Sequence, residues 1–134
     1  MCIRDRTGLV GVYSRISNMA PVHAILFTAK PVGGEIKCQE GETIAVEWFA
    51  FDELPSPLSA GHKRRIEDVL AGVSGVAVLQ EFKLPEMPKG LSRKELIELR
   101  DNSGLSRQDF YMRMFEQAEL TETTEVSGIS PKQD

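Results

Sequence analysis

The chain has 134 residues, a formal net charge of −4 and an apolar content of 41%, which together support one domain with an appendage and a sufficient hydrophobic core. The acidic balance argues against a nucleic acid partner, because a nucleic-acid-binding surface needs clustered positive charge. No apolar run reaches the roughly 18 residues that a transmembrane helix needs, so we expect a cytoplasmic protein that binds neither membrane nor nucleic acid.

The first third of the chain predicts β-strands. Residues 1–6 are polar and look like a translated adapter sequence, so we expect a non-native prefix there. Leu9–Ser14 is β-prone and predicts a strand. His23–Ala29 is an almost continuous apolar run, which is typical of a strand buried on both faces. The Pro-Val-Gly-Gly turn that follows predicts a hairpin with a short return strand over Glu35–Cys38.

Glu42–Pro55 holds the only tryptophan and the clearest strand pattern. Ile44–Phe51 alternates with a period of two, so we expect a strand with Ile44, Val46 and Trp48 in the core. The Asp-Glu-Leu-Pro sequence that follows ends this strand, because proline cannot donate to a sheet ladder.

The second half predicts helices. Ala60–Leu70 has apolar residues at helical spacing, and the basic run His62–Arg65 within it is interpreted as a solvated helix end. Gly75–Phe82 predicts an edge strand or an extended tail. A linker over residues 83–91 precedes a helical hairpin over residues 92–119, whose first helix begins with a capping box of Ser92 and Glu95. Residues 120–134 are polar, and we expect a disordered tail.

The helical hairpin leaves a second interpretation open. Two helices joined by a short turn also occur in DNA-binding helix-turn-helix proteins. Here the second helix carries Arg107 and Arg113 but also Asp109, Glu116 and Glu119, so it has no basic stripe. A packing or dimerisation hairpin is therefore favoured.

The order of these segments resembles the second half of the Nudix hydrolase fold. Leu9–Ser14 is similar to the strand after the family's signature helix, and His23–Ile36 is similar to its central strand and Gly-Gly hairpin. Glu42–Pro55 is similar to a late segment in which a Trp-Phe pair precedes Asp-Glu-Leu-Pro, and His62–Leu70 to the closing helix. The resemblance implies an α/β fold: a partial Nudix-like α/β/α sandwich with a mixed sheet over residues 7–82, followed by the C-terminal helical hairpin.

The resemblance also implies an activity. Nudix hydrolases are pyrophosphohydrolases, and they cleave nucleoside diphosphates linked to another moiety, such as ADP-ribose or NDP-sugars, with Mg²⁺ or Mn²⁺. Their signature G-x5-E-x7-R-E-U-x-E-E-x-G-U, with U aliphatic, supplies most of the metal-binding carboxylates. That signature is absent here. Three glycines have a glutamate at the correct spacing, but the arginine position then holds Trp48, Pro55 or Gly75. We therefore expect this chain alone to be inactive.

Five residues are candidate site residues by this resemblance. Glu42 matches a glutamate before the Trp-Phe strand that serves as metal ligand or general base, and Glu40 is the next choice as metal ligand. Tyr13, Arg15 and Phe27 are expected to line the nucleotide pocket through stacking and phosphate contact. The alternatives are a solvated acidic loop for the two glutamates and core or rim packing for the other three.

Two further interpretations remain open. The chain can be a non-catalytic binding or interaction module that uses a degenerate Nudix surface or the helical hairpin, or a small α/β domain unrelated to the family. A homodimer is also open. A sheet without its full set of neighbours exposes an apolar face and an unpaired edge, which predicts oligomerisation.

Overall fold

The computed structural model of the chain describes residues 3–131, in which four strands form one mixed sheet with three helices. The expected α/β class is confirmed. In chain order the elements are β1 (Ile3–Ile16), β2 (Val22–Gly33), α1 (His62–Leu70), β3 (Val76–Lys83), α2 (Arg93–Asp101), α3 (Arg107–Glu116) and β4 (Glu119–Val126).

The sheet has the strand order β2-β1-β3-β4. β1 pairs antiparallel with β2 and parallel with β3, and β3 pairs antiparallel with β4. A parallel pair needs a crossover connection, and here residues 17–75 supply it, with β2 and the helix α1 inside it. β3, which the sequence predicts as an edge strand, therefore lies inside the sheet.

The core lies between α1 and one face of the sheet. It centres on Tyr13, Val76 and Val78, all almost fully buried. β1 and β3 approach closely at Gly11, where a Cβ atom would collide with the carbonyl of Val76. Any larger residue at position 11 would push these two strands apart.

A buried polar network ties α1 to the sheet. The Tyr13 hydroxyl donates a hydrogen bond of 2.7 Å to the Asp68 carboxylate. Arg64 Nε contacts both oxygens of the same carboxylate at 3.0 Å, and its Nη2 donates to Thr124 at 3.0 Å. Because Asp68 is buried, these bonds compensate its lost hydration and fix α1 against β1 and β4 at the same time.

The other face of the sheet is open. Val12 pairs with Ile25 and Leu9 with Phe27 across β1 and β2, and all four side chains are exposed. The predicted strand over His23–Ala29 is confirmed by β2, but its burial on both faces is wrong. β2 is an edge strand, and only Ala24 and Leu26 pack against the core.

The predicted strand over Ile44–Phe51 is wrong. These residues have no regular secondary structure, and Ile44 and Trp48 are 72% and 70% exposed. A period-two pattern indicates a segment that suits a half-buried strand, but it supplies no neighbour to pair with. Within residues 3–131 this segment pairs with no strand, although β2 has one free edge. Glu35–Cys38 likewise forms no return strand.

The second half largely follows the predictions. α1 and the helical hairpin are confirmed, and the Ser92–Glu95 capping box is present with both of its hydrogen bonds. The predicted disordered tail is wrong for Leu120–Val126, which form most of β4 and complete the sheet. The last three residues of that tail, and the first two of the predicted prefix, lie outside the described residues. Within residues 3–131 no helix is long and apolar enough to cross a membrane.

Candidate functional site

Gln80 holds the start of α1 against the sheet. Its side chain is fully buried in β3, and its amide nitrogen donates to the Gly61 carbonyl at 3.1 Å and to Glu122 Oε2 at 2.9 Å. Its amide oxygen accepts a hydrogen bond of 3.1 Å from Arg65 Nη2. The parallel register places Arg15 of β1 directly opposite Gln80. The fold therefore brings two arginines from distant parts of the chain to one point.

Arg15 and Arg65 form the centre of a cationic cluster. The Arg65 guanidinium lies 5.3 Å from the centre of the Tyr13 ring. Within residues 3–131 neither arginine forms a salt bridge, and the Nε atoms of both are buried without a hydrogen-bond partner. Burial lowers the pKa of Arg65, and the charge of Arg15 lowers it further, while Glu122 opposes this shift. The two guanidinium groups are therefore close enough to repel each other.

His62 completes the cluster as a neutral group. Part of its ring remains in solvent, but burial of the rest lowers its pKa, and the charges of Arg65 and Arg15 add to the effect. Because the ordinary pKa is already about 6.5, the lowered value leaves the imidazole uncharged at neutral pH. His62 can then donate or accept a hydrogen bond without adding a third charge.

The first turn of α1 adds positive potential beside these side chains. Gly61, the residue before the helix, has a φ of 85° and supplies no side-chain cap, and the first turn contains no acidic residue. The free N–H groups of a helix start carry partial positive charge. A cleft of about 40 Å³ opens beside Arg15. Its lining is mainly apolar, with Ser17 and Ser59 as the other polar residues, and neither Arg65 nor His62 lines it.

The two candidate glutamates lie in a separate acidic turn, Glu40–Glu42. The turn bends through Gly41, whose φ is 78°, and closes with hydrogen bonds from the Glu42 and Thr43 amides to the Gln39 carbonyl. Arg107 at the start of α3 donates to the Gly41 carbonyl at 2.6 Å. Both carboxylates are exposed, and neither forms a salt bridge or side-chain hydrogen bond within residues 3–131.

The acidic turn does not fit a resident divalent cation by itself. Among residues 3–131 no group of three or more His, Cys, Asp or Glu side chains converges as a metal site. Mg²⁺ is usually held by one or two protein carboxylates together with substrate phosphates and water. Glu40 and Glu42 can therefore supply ligands only to an ion that other groups also hold.

The other predicted site residues occupy different places. Tyr13 is completely buried, and burial, followed by its hydrogen bond to Asp68, raises its pKa, so it offers no surface for a nucleotide base to stack on. Phe27 lies on the open face of the sheet, where the Arg6 guanidinium is 4.6 Å from its ring centre. The structure thus brings Arg15 together with Arg65 and His62, and not with Phe27.

Sequence reasoning missed Arg65 and His62 as partners of Arg15. The available signal was that the helix begins with His-Lys-Arg-Arg and has no acidic residue in its first turn. Helix starts usually favour acidic residues, because the helix dipole is positive there. The solvated interpretation holds for Lys63, which is exposed, but Arg64 and Arg65 are partly buried.

The helical hairpin contains the larger cavity. It has a volume of about 310 Å³ and lies between α2, α3 and the turn that follows β3. Its lining is mainly apolar, and Arg113 and Glu86, 3.6 Å apart, stand among its polar residues. Its volume is near the lower limit for small-molecule sites.

Comparison with known proteins gives no relative. No protein-family model matches the chain, and no curated protein or solved structure matches it either.

Proposed function

We propose that this chain is part of a Nudix-type pyrophosphohydrolase that cleaves nucleoside diphosphates linked to another moiety, such as ADP-ribose or an NDP-sugar, with Mg²⁺ or Mn²⁺. The observation that carries the proposal is the acidic turn. The segment that resembles the family begins with Glu42, and Glu42 and Glu40 both present carboxylates without protein partners within residues 3–131. Such carboxylates are free to engage a cation or a water molecule.

The turn is positioned rather than loose. Two backbone hydrogen bonds close it, and Arg107 connects it to α3. A divalent cation, when bound, neutralises phosphate charge and acidifies the attacking water. Since this chain lacks a full ligand set among its described residues, its own contribution is limited to Glu42, with Glu40 beside it, and to contacts with the substrate.

A turnover assay tests the expected inactivity of this chain alone. The chain alone is incubated with a panel of NDP-linked substrates and Mg²⁺, and phosphate-containing products are quantified. We expect no turnover, because the other carboxylates of the family signature are missing. Turnover that disappears in Glu42→Ala, but persists in the matched exposed variant Glu53→Ala, would refute the inactivity while assigning chemistry to Glu42.

A second candidate function is a non-catalytic binding module, favoured by the cavity in the helical hairpin. Its apolar lining with a few polar groups is typical of sites that bind small apolar ligands or side chains. The coding sequence upstream of Leu9 discriminates the two functions. An Arg-Glu-U-x-Glu-Glu motif before Leu9 would indicate a hydrolase, whereas its absence from a continuous reading frame would favour the module.

A further inference from the structure

We propose that Arg15 of β1 and Arg65 in the first turns of α1 form a binding site for a phosphate or diphosphate group. The inference rests on the proposed function in one respect only, which is that the phosphate group belongs to an NDP-linked substrate. The contacts and charges of the two arginines carry the inference, and its first test uses inorganic anions without metal or turnover.

The two arginines are positioned by the fold and not by flexible surface loops. Arg15 belongs to β1, at the register position opposite Gln80, and Arg65 belongs to α1 and donates to the same Gln80 side chain. Gln80 is in turn fixed by its bonds to Gly61 and Glu122. Preorganised guanidinium groups lose less entropy on binding an anion than free surface side chains do.

The charges of the cluster are not balanced by the protein. Arg64 is neutralised by Asp68 at 3.0 Å, and Lys63 faces Glu67 at 3.6 Å. Glu122 attracts Arg65, but its carboxylate accepts a hydrogen bond from Gln80 and forms no salt bridge with either arginine. Arg15 has no carboxylate partner within residues 3–131. A bound dianion would relieve the repulsion between the two guanidinium groups.

Donors remain available at the guanidinium ends. The Nε atoms of both side chains are buried without a hydrogen-bond partner, so binding would use the terminal nitrogens. Arg65 uses Nη2 for Gln80, which leaves Nη1, and the terminal nitrogens of Arg15 form no hydrogen bond among the described residues. Arginine forks match the geometry of phosphate oxygens. The hydroxyl of Ser17 accepts from the Met19 amide and so keeps its own proton for another acceptor.

The cleft beside Arg15, which Arg65 does not line, limits the size of a ligand group that can enter it. About 40 Å³ corresponds to a few water molecules, which is the scale of a phosphate group and not of a nucleoside. The cleft lies near the last turn of α3, whereas Arg107, which holds the acidic turn, lies at the first residue of α3. The phosphate site and the carboxylates are thus near opposite ends of one helix, and the two can contact different parts of an extended substrate.

The test is calorimetric titration of the whole chain with inorganic pyrophosphate and with inorganic phosphate, at neutral pH, constant ionic strength and without divalent metal. We expect pyrophosphate to bind, and Arg15→Gln to weaken the affinity by at least about tenfold. Arg93→Gln is the matched control, since Arg93 is an exposed arginine in the first turn of α2, and we expect its affinity to stay within about twofold of the original.

A second variant covers the case in which loss of packing unfolds the chain. Arg65→Lys keeps the charge but loses the planar fork, so we expect weaker pyrophosphate binding with a cooperative thermal transition retained. Absence of pyrophosphate binding by the folded wild-type chain would overturn the site, as would equal weakening in Arg15→Gln and Arg93→Gln.

Two further ligands separate phosphate recognition from nucleoside recognition. ADP-ribose should compete with pyrophosphate in an Arg15-dependent way, and adenosine should not compete. Competition by adenosine would overturn the assignment to phosphate. If pyrophosphate binds but a longer protein hydrolyses no substrate, the phosphate site stands and the proposed hydrolase function fails. Failure of the site can therefore be distinguished from failure of the hydrolase function.

Discussion

Tyr13→Phe is the perturbation that tests how α1 is held against the sheet. The substitution removes one hydroxyl from a fully buried ring and leaves the rest of the core unchanged. It deletes the 2.7 Å hydrogen bond to Asp68, while Asp68 keeps its two contacts with Arg64 at 3.0 Å. The change therefore isolates a single buried bond in the network that positions Arg65 beside Arg15.

The magnitude follows from the charge and burial of the acceptor. A hydrogen bond to a charged group contributes about 1.5–3 kcal/mol to stability. Because Arg64 still pairs with the carboxylate, Asp68 is not left without a partner, and the lower part of that range applies. We expect the free energy of unfolding to fall by about 1.5–2 kcal/mol. The exposed pair Lys63–Glu67 gives the control, since Glu67→Gln should cost no more than about 0.5 kcal/mol.

Urea denaturation at low protein concentration measures both variants. The expected result is a lower midpoint for Tyr13→Phe with an unchanged slope against urea concentration, which indicates a stability effect without a change in compactness. A loss smaller than about 0.5 kcal/mol would refute the argument, because it would mean that the bond contributes no more than a surface contact.

The same pair of proteins has a predicted pH dependence. The pKa of Tyr13 is raised in the folded state, by burial first and by Asp68 second, so the unfolded chain ionises at lower pH than the folded chain. The stability from this group is therefore complete below about pH 10 and is lost as the pH rises above that value. In Tyr13→Phe this part of the alkaline loss should disappear, whereas a steeper loss would contradict the assignment.

Two other predictions concern the same framework. Gly61→Ala should destabilise the chain by about 1–3 kcal/mol in thermal or urea unfolding, because a Cβ at a φ of 85° would lie 2.9 Å from the Gln80 amide nitrogen. Gly104 has a similar φ but open space around it, so Gly104→Ala should cost less. Equal losses in the two variants would contradict the crowding at Gly61. The open sheet face is expected to make the wild-type chain self-associate, and Ile25 on that face is 61% exposed. Ile25→Thr should therefore lower the average mass measured by light scattering towards that of the monomer across a concentration series. A wild-type chain that is monomeric at every concentration would contradict this.

The sequence predicted elements where local physics is sufficient. Helix α1 and the helical hairpin have periodic apolar positions. Both hairpin helices begin with a serine cap, and Ser92 with Glu95 forms the box that their spacing indicates. β1 and β2 were predicted from β-prone and apolar runs, because such runs favour strands whatever their partners are. For the helices, the deciding interactions lie within a few residues of one another.

The remainder depends on partners that no local pattern specifies. The alternation in Ile44–Phe51 predicts a strand, yet the segment pairs with no strand among the described residues and is exposed. Conversely, β4 has a polar sequence that predicts disorder, and it is ordered because β3 presents a free edge next to it. Strand formation in both cases is decided by sheet neighbours and not by composition.

The candidate site shows the same division. The sequence singled out Glu42 and Glu40 by resemblance, and the structure shows them in a closed turn without showing what they do. Arg15 was chosen for phosphate contact, but its partners Arg65 and His62 are about 50 positions away in the chain and become neighbours only through the parallel pairing of β1 with β3. Tyr13 was expected to line the same pocket as Arg15, but it is completely buried and donates to Asp68 of α1.

The measurement that tests the central claim most directly is the rate of ADP-ribose hydrolysis, with Mg²⁺, by protein produced from a reading frame extended upstream of Leu9. We predict turnover in the extended protein, none in the present chain, and a loss of at least about tenfold in Glu42→Gln of the extended protein. A folded extended protein that hydrolyses no NDP-linked substrate, or one whose rate is unchanged by Glu42→Gln, would contradict the account.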